Sequence, residues 1–393
     1  MAADGILEFA YTRWLRILWV AVIYYGFYRH RARPAKRAGG FSPADATIIR
    51  PTVQPKRGLI DALKSWLANH PREIMVVTTI PWLTSVKELI QKVNDARIIT
   101  LHTIGGRGKR PALVKGIQQA RIPVVALVDD HIAWSLNTLN GLLNSLSESR
   151  DVGGVTPIKN NKDPQMTALR AIAATRLNRS NVANATMAYF ANGQVIVCSG
   201  KTSAYRTEIL QDPSFLDHFN RDLWMNKYPL VSGDDVAITY WLYRNGWRTG
   251  FVLRWARTRI RRILRDMGTI ASGSSPLWYR ALSFRSIVFP VMAEDYLLIP
   301  DFLTILFVLM TRAAGVISSI TPVIPGTSAV LFNYFGFNAL LELDSSLWHF
   351  YRCSQSLWQV PVLAFWGHVR MVVTIYAFLT PNQSGWMTRV GAA

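Results

Sequence analysis

With 393 residues the chain has room for one sizeable domain and several further helices, but not for two independent globular enzymes. Its composition, 50% hydrophobic and 17% charged with 14 Trp, points to a membrane and away from an ordinary cytosolic enzyme. The formal net charge of +20 calls for anionic partners, and the apolar segments beside that charge favour anionic lipid and a nucleotide diphosphate over nucleic acid.

Residues 6–28 are mostly apolar and are followed by Arg29, His30, Arg31, Arg33, Lys36 and Arg37. That order predicts a signal anchor whose following domain is cytosolic. Glu8, Arg13 and Arg16 lie inside the stretch, so an interfacial helix is the alternative. Residues 1–30 are thus read as a membrane anchor. Residues 31–58, rich in Pro, Gly, Lys and Arg without periodicity, are read as a basic linker over the membrane surface.

The catalytic domain is expected over 59–253. Ile74 to Thr79, Arg97 to His102 and Pro123 to Val128 read as buried strands, and Ser85-Val86-Lys87-Glu88 as a capping box opening a helix that runs to about Asn94. Strands alternating with helices predict an α/β domain with a mainly parallel sheet, whose ligands bind beyond the carboxyl ends of the strands. The Arg-rich residues 254–284 read as amphipathic interfacial helices. Within 285–380, the stretches 285–311, 316–341 and 358–379 are long enough to span a bilayer, with Trp348, Tyr351 and Trp358 at an interface before the last. Residues 381–393 form a tail. Cys198 and Cys353 are too few for a disulfide framework or a Cys-rich zinc site, and read as small apolar residues.

Val128-Asp129-Asp130-His131 closes a predicted strand, where oxygen and imidazole ligands can hold a divalent cation against a pyrophosphate. Asp clusters after strands also cap helices, so the signal needs company. Gly105-Gly106-Arg107-Gly108-Lys109-Arg110 offers backbone N–H groups and two cations for phosphate. Ser232-Gly233-Asp234-Asp235 opens the helical run Val236 to Asn245 and offers either a general base or an N-cap. Arg254, Arg257, Arg259, Arg261, Arg262 and Arg265 suit anionic headgroups, or, for Arg254, a diphosphate with Trp255 stacked on a sugar.

In this order the motifs resemble those of the processive family 2 glycosyltransferases (hyaluronan, chitin and cellulose synthases) and especially the fungal type 2 glycosyltransferases related to hyaluronan synthase. The resemblance implies a GT-A-like fold, a UDP-sugar donor and Mg²⁺ or Mn²⁺. It places Thr79, Lys109 and Arg110 at the nucleotide and the metal at Asp129, Asp130 and His131. It assigns Ser199, Gly200, Tyr205 and Arg206, from Ser199-Gly200-Lys201-Thr202-Ser203-Ala204-Tyr205-Arg206, to the acceptor. Asp234 and Asp235 become the catalytic pair with Asp235 as base, and Arg254 and Trp255 the closing motif on the diphosphate. The implied product is a cell-wall or surface glycan made at the cell membrane by a multi-pass protein with a cytosolic catalytic domain. A single-step transferase onto ceramide or polyprenyl phosphate and an inactive scaffold are the alternatives. Three departures stand out: His131 replaces an Asp, the Gln of Gln-x-x-Arg-Trp is absent, and only eighteen residues separate Asp235 from Arg254.

Overall fold

The computed structural model describes residues 18, 20–30, 40–53, 55, 58–103, 109–129, 132–160, 168–224, 228–229, 233–258, 350–351 and 354–363. In chain order its elements are helix α1 (20–30), β1 (Ala46–Pro51), α2 (Gly58–Leu67), β2 (Glu73–Thr79), α3 (Leu83–Gln91), β3 (Ile98–Thr103), α4 (Arg110–Gln119), β4 (Val124–Val128), β5 (Ile132–Trp134) and α5 (Thr138–Leu146). There follow β6 (Val152–Asn160), α6 (Ala168–Phe190), β7 (Thr202–Arg206), α7 (Thr207–Leu210), α8 (Pro213–Arg221), a small hairpin of β8 (Leu223–Trp224) and β9 (Tyr228–Pro229), α9 (Asp234–Arg244) and β10 (Arg248–Thr258).

Eight strands form one sheet in the order β3-β2-β1-β4-β7-β6-β10-β5. β3, β2, β1 and β4 run parallel, as do β6 and β10, whereas β7 is antiparallel to both its neighbours and β5 is antiparallel to β10. The expected mixed, mainly parallel sheet is therefore present.

Side chains two apart on a strand share a face, and here that alternation divides the apolar residues between two cores. Ile49, Met75, Val77, Val125 and Leu127 pack on one side with α4, α6, α8 and α9. Ile48, Ile74, Val76, Val124 and Ala126 pack on the other with α2 and α5. Gly116 lets α4 lie close on the sheet, since a Cβ there would stand 2.5 Å from the Ile49 Cγ2.

Several expected boundaries move. β1 lies inside the stretch read as linker, yet all six of its residues are buried and it pairs with β2 and β4 at the centre of the sheet. The domain thus begins before residue 59. Helix α3 starts at Leu83, so Ser85 and Glu88 sit within it and form no cap; a short 3-10 turn, Ile80–Trp82, with Pro81 near its start leads in. Arg254 to Thr258 belong to strand β10, not to an amphipathic helix: Trp255 to Arg257 pair with β6 on one side and Ala256 to Thr258 with β5 on the other.

Among the described residues no helix is long and apolar enough to cross a membrane. The spans expected at 285–311 and 316–341, and all but the start of 358–379, lie outside the described residues. α1 is the described part of the expected anchor, and one of its faces packs on α6. Gly26 fits against Phe190 and Thr186, the Thr186 hydroxyl donates to the Ile23 carbonyl at 2.6 Å, and Phe27 is fully buried. Leu18, Val22, Tyr25 and Tyr28 remain exposed.

Candidate active site

The carboxyl ends of β1, β2, β4 and β6 and the amino end of β7 meet at one edge of the sheet. Asp129 leaves β4 there, and its N–H donates to the Lys201 carbonyl of the turn that enters β7 at 3.2 Å. Helix α9 points its first turn at the same place. Gly233 precedes it with φ of 70°, in the left-handed region that glycine adopts without strain. Asp234 and Asp235 then fall in the first turn, where the helix dipole favours negative charge.

Consecutive helical positions point about 100° apart, and the two carboxylates diverge accordingly. Asp234 Oδ2 accepts from Lys109 Nζ at 2.9 Å, and the same ammonium donates to Asp129 Oδ1 at 2.7 Å. Burial acts to lower the Lys109 pKa, but Asp129 and Asp234 outweigh it and hold the group above its ordinary range. Asp235 instead turns toward the β7 side. Its Oδ2 accepts from Gly200 N–H at 3.1 Å and its Oδ1 from Val236 N–H at 3.0 Å. Burial first, and the neighbouring Asp234 second, raise its pKa above the usual carboxylate range.

A hydrogen-bond lattice holds this arrangement. Thr239, one turn along α9, donates to the Asp235 carbonyl at 2.7 Å and accepts the Cys198 N–H at 2.9 Å. Thr156 on β6 receives the Ser199 N–H at 3.2 Å and donates to the Thr202 carbonyl at 3.0 Å. Ser199 and Gly200 are therefore fixed beside Asp235. Burial pushes the Cys198 thiol up to about 12, so it stays neutral.

Not every expected site residue belongs to this cluster. Arg110, adjacent to Lys109, points into the protein: it is 2% exposed, donates to the Phe219 carbonyl at 2.9 Å, stacks over the Phe219 ring and lies 3.6 Å from Asp222. It fastens α4 to α8 and has no reach to a phosphate. Tyr205 is buried in the core, and Arg206 donates to the carbonyls of Val152, Leu146 and Ser149. Because β7 runs antiparallel to β4, only its entry turn reaches the site edge. Arg206 lies four residues further, at about 3.3 Å per residue toward the opposite edge, so it contacts no acceptor beside Asp235, whereas the buried Tyr205 phenol lies within reach of the charges of Asp235 and Asp234.

Thr79 ends β2 at the site edge. Next to it, buried Thr52 and Thr78 at the ends of β1 and β2 have hydroxyls without a hydrogen bond; the reading of 31–58 as linker concealed the first of them. Arg254 lies in an irregularity of β10: Val252 pairs with Pro157 but Trp255 with Ile158, so two extra residues, Leu253 and Arg254, bulge at the same edge. The eighteen residues between Asp235 and Arg254 complete α9, form a short turn and enter β10.

Asp130 and His131 lie outside the described residues, and among the described residues no group of three or more His, Cys, Asp or Glu forms a ligand cluster. The donor chemistry nevertheless fits a hard cation, since the Asp129 carboxylate is 24% exposed and has Asp234 across the same ammonium. Lys159 was not singled out by sequence. It ends β6 at the site edge, 5% exposed, and burial together with nearby Lys201 lowers its pKa to about 7. Its signal was available: it closes an apolar strand just as Asp129 closes β4.

Residues 43–264 match the model of the family described as glycosyltransferase like family 2. The chain is 26% identical over 375 residues to a type 2 glycosyltransferase of Zymoseptoria tritici, covering 90% of this chain and 77% of the relative. It is 24% identical over 404 residues to the NDP-glycosyltransferase ltbB of Aspergillus luteorubrus, covering 94% of each. Among solved structures, the mannosyltransferase PcManGT from Pyrobaculum calidifontis in complex with GDP-Man and Mn²⁺ superposes with a TM-score of 0.61 at 16% identity, over 95% of this chain and 97% of that one. At that identity the likeness speaks for the fold.

Proposed function

Because the chain belongs to the glycosyltransferase-like family 2, we propose that it is a membrane glycosyltransferase that moves a sugar from a UDP-sugar onto a hydroxyl of a growing cell-wall or surface polysaccharide, with inversion. Glycosyl transfer and a nucleotide-sugar donor follow from the family. The finer reading rests on one observation: Asp235, with its raised pKa, is held by the Gly200 N–H at the edge where the turn into β7 meets α9.

Asp235 takes the proton of the acceptor hydroxyl as that oxygen forms its bond to the anomeric carbon. The bond from that carbon to the UDP oxygen breaks, and its electron pair leaves with the diphosphate. Attack and departure occur on opposite faces, so one carboxylate suffices. Lys109 holds Asp129 and Asp234 in place at the donor side, and the family resemblance assigns Arg254 to the diphosphate and Trp255 to the sugar. Mg²⁺ or Mn²⁺ at Asp129, with Asp130 and His131, would supply positive charge against the leaving group. The exposed apolar residues of α1, the +20 net charge and the apolar stretches after residue 285 support contact with an anionic bilayer.

The experiment is Asp235→Asn with transfer and binding measured separately. Transfer falls by about 10²- to 10⁴-fold, while calorimetric titration of UDP with Mn²⁺ is unchanged. In the parent protein the rate falls as pH drops through the raised Asp235 pKa, because only the ionised carboxylate accepts the proton. Retained turnover in the variant removes Asp235 from the role.

A further inference from the structure

We infer that Lys109 is an internal rival of the divalent cation: it engages Asp129 and Asp234 itself, so that Mg²⁺ or Mn²⁺ binds tightly only together with a nucleoside diphosphate. The inference rests on the reading of Asp129 as a metal ligand.

Three elements deliver one side chain each to the same point. Lys109 leads into α4, where its carbonyl accepts from the Leu113 N–H at 3.1 Å. Asp129 leaves β4 with its N–H on the Lys201 carbonyl at 3.2 Å and its own carbonyl accepting from the Ile132 N–H at 3.3 Å. Asp234 begins α9, whose first turn closes through the Ala237 N–H on the Gly233 carbonyl at 3.0 Å. The main chain at each corner of the triad is thus tied down.

Between them the Lys109 ammonium donates to Asp129 Oδ1 at 2.7 Å and to Asp234 Oδ2 at 2.9 Å, so two of its three N–H groups are spent on carboxylates. Its side chain is 8% exposed, less than either partner's. A hard cation takes carboxylate oxygens at about 2.0–2.6 Å. The point on which these two carboxylates converge is therefore already held by a positive charge of suitable reach.

One positive charge faces two negative ones, a net of one. A divalent cation arriving alone meets a like charge a few ångströms away in a site where solvent screens weakly. To gain Asp129 Oδ1 it also has to displace a charge-assisted hydrogen bond. A diphosphate changes that balance, because its negative charges let ammonium and metal stand side by side. Lys109, a compact charge on a flexible four-carbon stem, can turn toward them. It is a positioning residue that acts through Asp129 and Asp234 and sets which species the site admits.

The test reads binding alone, on the full chain, by calorimetry with Mn²⁺, with UDP and with both. Without UDP the parent is expected to bind Mn²⁺ at least about tenfold more weakly than with it, and Mn²⁺ must raise the affinity for UDP by the same factor. Lys109→Met is expected to bind Mn²⁺ in the absence of UDP at least about tenfold more tightly than the parent. Mn²⁺ alone then raises the melting temperature of the variant and leaves that of the parent in place. Lys109→Arg, which keeps a cation between the carboxylates, stays closed to free Mn²⁺. Equal Mn²⁺ affinity of the parent with and without UDP overturns the inference, and this measurement stands even where Lys109→Met fails to fold. A folded Lys109→Met that still refuses free Mn²⁺ but binds metal-free UDP about tenfold less tightly also overturns it, and makes Lys109 a phosphate ligand. Because no acceptor is involved, absence of sugar transfer with the binding order intact removes the proposed function and supports this inference. Mn²⁺ bound under neither condition removes Asp129 as a ligand and overturns both.

Discussion

The two halves of the site edge solve the same electrostatic problem in opposite ways. In the donor half Lys109 stands between Asp129 and Asp234, two carboxylates around one ammonium on the parallel part of the sheet. On the β7 side the Asp235 carboxylate is held by the neutral N–H groups of Gly200 and Val236, where β7 reverses direction between β4 and β6. One side is braced by a charged group, the other by backbone amides.

The contrast can be broken most forcefully at Lys109. Lys109→Met strands Asp129, Asp234 and Asp235 together, and a loss of about 3–5 kcal/mol of stability is expected by chemical denaturation. The sign follows from the raised Lys109 pKa: its stabilisation is fully present below the unfolded value of about 10.4 and is lost only as pH rises through the folded value. Acidifying the variant should restore part of the loss by protonating the stranded carboxylates. Arg110→Met sharpens the comparison from the next position. It loosens α4 from α8 at a cost of about 2–3 kcal/mol, yet UDP titrates as before; weakened UDP binding in a folded variant would return Arg110 to the nucleotide. Arg206→Gln is the smallest perturbation, about 1–2 kcal/mol from carbonyls losing a charged donor. The acceptor KM should be unmoved, since the side chain braces the opposite edge of the sheet.

These neighbours also show how far the sequence reaches. β2, β3 and β4 were legible because each is an apolar run between turn residues, and Asp129, Asp234 and Asp235 because carboxylates at strand ends and helix starts are where such folds place chemistry. β1 was hidden by its surroundings: Ala46-Thr47-Ile48-Ile49-Arg50-Pro51 follows a basic, Gly- and Pro-containing stretch, and Arg50 interrupts it although it is buried over Trp66. Arg110 was misplaced because a motif reports adjacency along the chain, whereas a helix turns adjacent side chains apart. Arg206 was misplaced because motif order does not reveal strand direction. Lys159 was passed over since a lysine closing a strand reads as a solvated end, and only the Asn181 clamp and the surrounding sheet make it an interior charge.

The contact between α1 and α6 bears on how this protein can be handled at the bench. Asn181, which grips Lys159, lies on the same helix as Thr186 and Phe190, against which Gly26 fits, and Phe27 is buried in the same core cluster as Val182, Ala185 and Ala188. Trimming the chain to start at β1, a natural choice for preparing a catalytic fragment, would strip the cover from α6 and leave an apolar furrow along that helix. A fragment that retains residues from 18 onward keeps that furrow filled.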